Sequence, residues 1–193
     1  MIIEHIKAAD LKTNNWSGGT TTQLVIYPKD SDYKKQNFLF RLSTARVECE
    51  ESTFTKLCGI SRKLMILDGE IKIEHKNHHS KTLKKFEQDS FEGDWNTKSY
   101  GKAVDFNLMT KGNTKGKIES LVIKNKKKIS INSDFNFYGL YVYSGEIKIL
   151  VNSKEIRLLK GDFLSINCGK TKNEIEITTD NLTEIILTQI RFN

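Results

Sequence analysis

The sequence predicts an all-β protein, a sandwich or barrel built twice over, and three observations lead to it. Short β-branched and aromatic runs alternate with turn residues, and no long amphipathic helix interrupts them. The pentapeptide Gly-Glu-Ile-Lys-Ile occurs at residues 69–73 and again at 145–149. Each copy follows an apolar run, Leu64-Met65-Ile66-Leu67-Asp68 in one half and Leu140-Tyr141-Val142-Tyr143-Ser144 in the other. A second shared signature follows each copy: Phe91-Glu92-Gly93-Asp94-Trp95, then Lys160-Gly161-Asp162-Phe163, each with a further glycine eight positions on, at Gly101 and Gly169. Two matching elements in the same order mark an internal duplication.

The elements read in order as follows. Residues 2–11 form an edge strand and a turn. Asn14-Asn15-Trp16 leads to Gly18-Gly19, which permit unusual dihedrals and close approach, and to Thr20-Thr21-Thr22. Residues 22–27 are β-branched and aromatic, a strand ended by Pro28, and 29–36 are a polar loop. Residues 38–47 form the next strand. Alternation puts Phe40, Leu42, Thr44 and Arg46 on one face and Arg41, Ser43 and Ala45 on the other, so a charged arginine can sit over a concave interior. Residues 48–52 are an acidic turn. His75-Lys76-Asn77-His78-His79 reads as an exposed hairpin tip; a metal reading finds no suitably spaced carboxylate or cysteine beside it. Two short strands surround Gly93, and 104–109 is a strand with one acid and one amide among apolar neighbours. Residues 112–117 are the best linker, dividing the chain into domains at 1–111 and 112–193. The second half repeats the pattern of short strands to its end.

Composition narrows the function classes. With 37% hydrophobic and 28% charged residues, the 193-residue chain is a globular protein with a sizeable core. No apolar run approaches the ~20 residues of a membrane helix. The start, Met1-Ile2-Ile3-Glu4-His5, has no basic segment followed by a long apolar stretch, so no secretory signal is expected. Three cysteines, Cys49, Cys58 and Cys168, are odd in number and unpaired in spacing, which predicts a reducing compartment and no disulfide framework. The net charge of +7 raises a nucleic-acid reading. Its densest lysine run, 124–128, has no interleaved aromatics and reads as a solvated face or linker.

Strand, Gly-Glu, strand, Gly-Asp, strand, Gly, strand is similar to the cupin pattern, and its duplication resembles a bicupin with two double-stranded β-helix barrels. Cupins hold a metal with three histidines and a glutamate. Counting back seven from Gly69 reaches Arg62 where that glutamate would stand, and from Gly145 it reaches Tyr138. The upstream histidine positions hold Lys56 and Cys58, and the second-motif histidine is Val104 in one half and Lys172 in the other. No metal and no cofactor is expected at these positions. A buried Arg62 needs an internal carboxylate, with Asp105 the candidate, or an anionic ligand held bidentately, with Arg41 as a second cation; the alternative is a surface Arg62–Glu pair.

The first half resembles the HutD/Ves family of bicupins more specifically. The residues are Trp16-Ser17-Gly18-Gly19-Thr20, the strand from Phe38 to Val47, Gly59-Ile60-Ser61-Arg62 through Gly69, Phe91-Glu92-Gly93-Asp94, and Asp105-Phe106-Asn107-Leu108-Met109. The acid usual after the threonines is Gln23 here, and the usual Gly-Pro-Phe-Ser is Ser52-Thr53-Phe54-Thr55. The resemblance implies a cytoplasmic regulator of histidine utilisation or stress response that binds a small acidic metabolite, such as urocanate or a formyl- or formimino-glutamate, without an established reaction. Arg62 and Arg41 are then ligand cations. Asp105, Ser43, Asn107, Thr20 and Thr22 supply further polar contacts, and Trp16 or Phe40 an aromatic wall, although Trp16 reads equally as a core residue.

Two other classes stay open. One is a metal-independent enzyme using Asp105 as acid or base beside Arg62; no Ser-His-Asp set supports it, and Cys58 reads as a buried filler or, less simply, a thiolate nucleophile. The other is a binder of anionic polymers, with nucleic acid the weaker partner. No membrane partner is expected, and exposed strand edges could pair the chain into a homodimer.

Overall fold

The computed structural model of the chain describes residues 1–131, 134–151, 154–168 and 173–193. Gly169 and Lys172 lie outside the described residues. The chain is all-β and divides into two units, residues 12–114 and residues 1–11 together with 115–193.

The 12–114 unit has ten strands: β2 (Lys12–Trp16), β3 (Gly19–Tyr27), β4 (Phe40–Val47), β5 (Glu51–Thr53), β6 (Ile60–Gly69), β7 (Ile71–His75), β8 (Ser80–Leu83), β9 (Gln88–Glu92), β10 (Thr97–Tyr100) and β11 (Ala103–Lys111). They form a six-stranded sheet ordered β2-β3-β4-β11-β6-β9 and a four-stranded sheet ordered β5-β10-β7-β8. The other unit contains β1 (Ile2–Ile6), β12 (Lys115–Ile123), β13 (Lys126–Ile131), β14 (Phe137–Ser144), β15 (Glu146–Val151), β16 (Lys154–Leu159), β17 (Phe163–Asn167), β18 (Asn173–Thr178) and β19 (Thr183–Arg191). Its sheets are ordered β1-β17-β14-β19-β12 and β13-β18-β15-β16. The order β4-β11-β6-β9 recurs as β12-β19-β14-β17, and β5-β10-β7-β8 as β13-β18-β15-β16. The duplicated sequence is therefore a duplicated topology. Each sheet keeps two edge strands, so the paired sheets are not closed by hydrogen bonds.

The repeated pentapeptide makes the same bend in both units. Gly69 and Gly145 each have φ +80°, a left-handed conformation that favours glycine. A Cβ at Gly69 would stand 2.4 Å from the Lys102 carbonyl oxygen, and one at Gly145 2.4 Å from Thr183 Oγ1. At the family-like Trp-x-Gly-Gly, a Cβ at Gly18 would meet the Trp16 ring at 2.1 Å. The glycine is thus the floor on which that ring lies.

Two differences from the expected layout have a common cause, the need to pair strand edges. The linker 112–117 is only a turn at 112–114, and Lys115 already opens β12. Residues 1–11 belong to the unit of the second half, because β1 pairs antiparallel with β17, Ile3 opposite Ile166. Asp162, from the second copy of the Gly-Asp signature, secures that segment. Its carboxylate accepts from the Ala8 N–H at 2.9 Å and the Leu159 N–H at 3.0 Å, and meets His5 Nε2 at 2.8 Å. Asp94, the matching acid of the first half, is exposed.

The cores are apolar in different degrees. In the 1–11/115–193 unit one cluster runs continuously through Ile129, Tyr138, Leu140, Val142, Ile147, Ile149, Leu164, Ile175 and Leu187. In the 12–114 unit there is a cluster of Leu64, Ile66, Ile71, Ile73, Leu83 and Phe91, and another of Ile26, Phe38, Leu57, Ile60 and Met109. Polar side chains are buried on the same sheet face as these residues. Among the described residues no helix is long and apolar enough to cross a membrane.

Candidate functional site

Residues directly opposite in an antiparallel sheet share a face, so the register locates the site. One cross-strand row is Arg41–Met109–Arg62, the next Ser43–Asn107–Leu64, and the third Ala45–Asp105–Ile66. Leu64, Ile66 and Met109 are core residues, so Arg41, Arg62, Asn107 and Asp105 project into an apolar interior. Arg41 and Arg62 retain only 6% and 7% of their surface. The alternative of a surface Arg62–Glu pair is thereby overturned.

Two irregularities aim these side chains. β6 has a register shift where Asp105 follows Val104, and β3 has one between Gln23 and Val25. A bulge changes the parity of a strand. Gln23 and Ile26 would lie on opposite faces by simple alternation; the bulge puts both on the Arg41 face, opposite Ser43 and Arg41 respectively.

The polar groups form two short chains. Arg62 Nη2 donates to Asn107 Oδ1 at 3.0 Å, and Asn107 Nδ2 donates to Asp105 Oδ1 at 2.6 Å. Asn107 therefore stands between the cation and the acid, in place of the direct Arg62–Asp105 pair that was the simplest expectation. Arg41 Nε donates to Gln23 Oε1 at 2.9 Å and Nη1 to Ser43 Oγ at 3.2 Å. Arg62 Nε is buried without a hydrogen-bond partner. Aromatic rings complete the surroundings. The Arg62 guanidinium carbon lies 4.8 Å from the Phe54 ring centre and 5.1 Å from that of Phe91, and the Arg41 carbon 4.5 Å from that of Tyr33.

Burial sets the charges. It pushes the Asp105 carboxyl up to about 7, against the pull of the Arg62 charge and the Asn107 hydrogen bond. It lowers Arg62 to about 10, with Tyr33 and Asp105 opposing and the Arg41 charge adding to the fall. Arg41 is lowered by the same desolvation. Near neutral pH both guanidinium groups are charged and Asp105 is only partly ionised. The interior therefore carries excess positive charge, a buried donor without a partner and aromatic walls.

Five of the sequence-derived site residues thus come together: Arg62, Arg41, Ser43, Asp105 and Asn107. Three do not. Thr20 and Thr22 pair with Arg46 and Thr44, on the other face of the sheet, and Thr22 Oγ1 bonds Thr13 Oγ1 at 2.8 Å. The alternation that lifted Arg41 inward turns them away. Trp16 is exposed on the edge strand β2, so it is neither core nor wall. Phe40, the other proposed wall, is buried on the opposite face of β4 and stacks on Tyr27 at 5.2 Å. Gln23, Tyr33, Phe54 and Phe91 were missed as contacts. Gln23 sits at a position where the family resemblance is imperfect, Phe54 is the one residue of Ser52-Thr53-Phe54-Thr55 that keeps to the family pattern, and Phe91 opens the Phe-x-Gly-Asp motif.

Other expectations also change. Cys58 is exposed, not a buried filler. The lysine run 124–128 is no linker: β13 starts at Lys126, and Lys126 and Lys128 meet Glu176 and Glu174 of β18 at 2.7 and 2.9 Å. These cross-strand pairs dilute the basic patch that a nucleic acid would need. The histidine tip is only partly exposed. His75 closes β7 and is buried, and the fold brings Asp89 of β9 beside it, supplying the carboxylate that local spacing did not.

Residues 8–186 match the model of the HutD family. No curated protein matches the sequence. Among solved structures, a conserved protein of unknown function from Pseudomonas aeruginosa PAO1 is 18% identical with a TM-score of 0.88, over 100% of both chains. HutD from Pseudomonas fluorescens SBW25 is 19% identical with a TM-score of 0.75, over 99% of this chain and 100% of that one. A cupin 2 conserved barrel domain protein from Leptotrichia buccalis is 13% identical with a TM-score of 0.60, over 97% and 96%. At such identities the likeness speaks for a cupin-like fold alone.

Proposed function

The chain belongs to the HutD family, and on that premise we propose that its 12–114 unit binds a small acidic metabolite at Arg62 and Arg41 and serves, without catalysis, as a cytoplasmic regulator in histidine utilisation. The observation that carries the reading is the buried Arg62 Nε, a donor with no partner, beside a second buried guanidinium. Burying such a group without an acceptor is costly. A ligand carboxylate supplies the acceptor and the missing negative charge together. The family resemblance points to urocanate or a formyl- or formimino-glutamate, each of which offers a planar carboxylate for a guanidinium fork. Gln23, standing where the resemblance expects an acid, leaves Arg41 with a neutral partner and so with its charge available. We read each unit as one cupin-type barrel lobe, supported by the repeated strand order.

The test is a thermal-shift screen with urocanate, histidine, glutamate, N-formylglutamate and formiminoglutamate. A ligand at a hundred times its dissociation constant stabilises by about 2.7 kcal/mol. Arg62→Ala abolishes the shift, and Gln23→Glu, which neutralises Arg41 without a cavity, weakens it. Equal responses in the wild type and both variants would remove the anion pocket.

A second reading rests on one specific observation, the Asp105 carboxyl at about 7, a value suited to proton transfer at neutral pH. It requires turnover of one of these compounds, lost in Asp105→Asn while binding persists.

A further inference from the structure

The turn between β7 and β8 has chemistry of its own, apart from the buried arginines. His75 and His79 are four residues apart across a tight turn, in which the His75 N–H donates to the His79 carbonyl at 2.8 Å and the His78 N–H to the His75 carbonyl at 2.9 Å. Asn77 takes the left-handed conformation, φ +67°, that the turn needs. The backbone therefore brings the two imidazoles to one side, their ring centres 4.6 Å apart. Asp89 arrives from β9, a strand of the other sheet of the unit, fixed in place by pairing with Leu64. One of its oxygens, Oδ2, meets His75 Nε2 at 3.2 Å and His79 Nε2 at 2.9 Å.

We propose that His75, His79 and Asp89 form a binding site for a divalent transition metal, with open positions facing a cleft of about 860 Å³. The three ligand atoms lie within 4.8 Å of one another. Bonds of about 2.0–2.1 Å in a tetrahedral site place ligand atoms roughly 3.3 Å apart, so the two nitrogen–oxygen separations are already close to the required edge. Two imidazoles with one carboxylate suit zinc, cobalt, nickel or ferrous iron. His75 Nδ1 lies 2.8 Å from Thr97 Oγ1. Donation from Nδ1–H to that hydroxyl leaves the Nε2 lone pair directed at the site, the usual outer support of a ligand histidine. The rigid part of the set is buried: His75 packs against Phe91 at 4.5 Å and Trp95 at 5.4 Å. His79 is partly exposed, so an ion can enter from solvent. His78 is stacked face to face on Trp95 at 3.7 Å, which accounts for it without a role as ligand. Lys56, Lys76 and Lys98 also line the cleft, so an anionic group could occupy the open coordination positions.

The site differs in position from the histidine-glutamate set that the cupin spacing addresses, which falls at Arg62 and its neighbours. It is also independent of the anion-binding proposal.

The test is calorimetric titration of zinc chloride into the chelator-treated full chain, with cobalt chloride titrated in parallel while the visible absorption of the ion and the fluorescence of Trp95 are followed in a Trp16→Phe background. The expected result is one equivalent of zinc bound, a cobalt spectrum of low-symmetry coordination, and quenching of Trp95, whose ring centre is 5.9 Å from that of His79. Asp89→Asn, which keeps the side chain's shape, and His79→Ala, in a turn, weaken zinc binding at least tenfold. His78→Ala leaves it within threefold. Absence of saturable zinc binding overturns the proposal, as does undiminished binding in Asp89→Asn. An equal loss in His78→Ala also overturns it, because it marks nonspecific capture by a histidine-rich turn.

Discussion

At the position seven residues before its repeated glycine, the 12–114 unit has Arg62 and the other unit has Tyr138. The rows continue the contrast. Arg41–Met109–Arg62 corresponds to Lys117–Gln189–Tyr138, Ser43–Asn107–Leu64 to Glu119–Leu187–Leu140, and Ala45–Asp105–Ile66 to Leu121–Ile185–Val142. Aliphatic side chains thus replace Asn107 and Asp105. Lys117 and Glu119 lie exposed on an edge strand, and Tyr138 is fully buried in a continuous apolar cluster. The same strand order accepts either interior, so the scaffold does not require the charges. Hydrophobic replacement of buried ions is often neutral or stabilising. A polar interior is therefore not a requirement of the shared strand order.

The largest test of this contrast places a charge in the apolar unit. Tyr138→Arg is expected to lose on the order of 4 kcal/mol in urea denaturation, since the described residues of that cluster offer a buried guanidinium no carboxylate. A loss below about 1 kcal/mol would show that the two interiors are not energetically distinct.

The next effect is confined to the polar unit. The Asp105 carboxyl is raised by burial to about 7, so the folded state favours the protonated form. The stability from that preference is complete below the ordinary carboxyl value and is lost as pH rises from there through about 7, then levels off. The change is at most a few kcal/mol. Asp105→Asn removes this component; an unchanged pH profile in the variant would assign the dependence to other groups.

Asn107→Leu makes one row of the polar unit resemble its counterpart. It leaves Arg62 Nη2 and the Asp105 carboxyl without their bridge and is expected to cost about 1–3 kcal/mol by thermal or chemical denaturation. Neutrality would mean that the bridge has no structural weight.

The smallest effect concerns the strand that joins only the apolar-cored unit. Burial raises the Asp162 carboxyl, but the N–H groups of Leu159 and Ala8 and the His5 side chain together hold it below its usual value. That stabilisation is present above the unfolded carboxyl value and is lost as pH falls through the lower folded value. Asp162→Asn should weaken β1 docking by about 1 kcal/mol, read as faster amide exchange in residues 2–6 with little change elsewhere.

Much of the site was readable along the chain because its strands keep period two. Arg41 and Ser43 fall on one face of β4 by counting, and Arg62 stands a set distance before a glycine that both units use for the same bend. Counting failed where the period breaks or where the partner is remote. The bulge in β3 puts Gln23 beside Arg41, while Thr20 and Thr22 face away. Tyr33 comes from a loop, and Phe54 from the margin of another sheet.

By itself the sequence determined that this is a duplicated all-β protein and which strand bears the buried cation, because side-chain alternation, turn glycines and repeats are local properties of a chain. Only the tertiary structure decided that β1 belongs to the unit of the second half, that Asn107 stands between Arg62 and Asp105, and that Asp89 meets His75 and His79. Those outcomes depend on which edges pair and where the register slips. Such choices are made by hydrogen bonding and burial between residues far apart in sequence, and no local pattern encodes them.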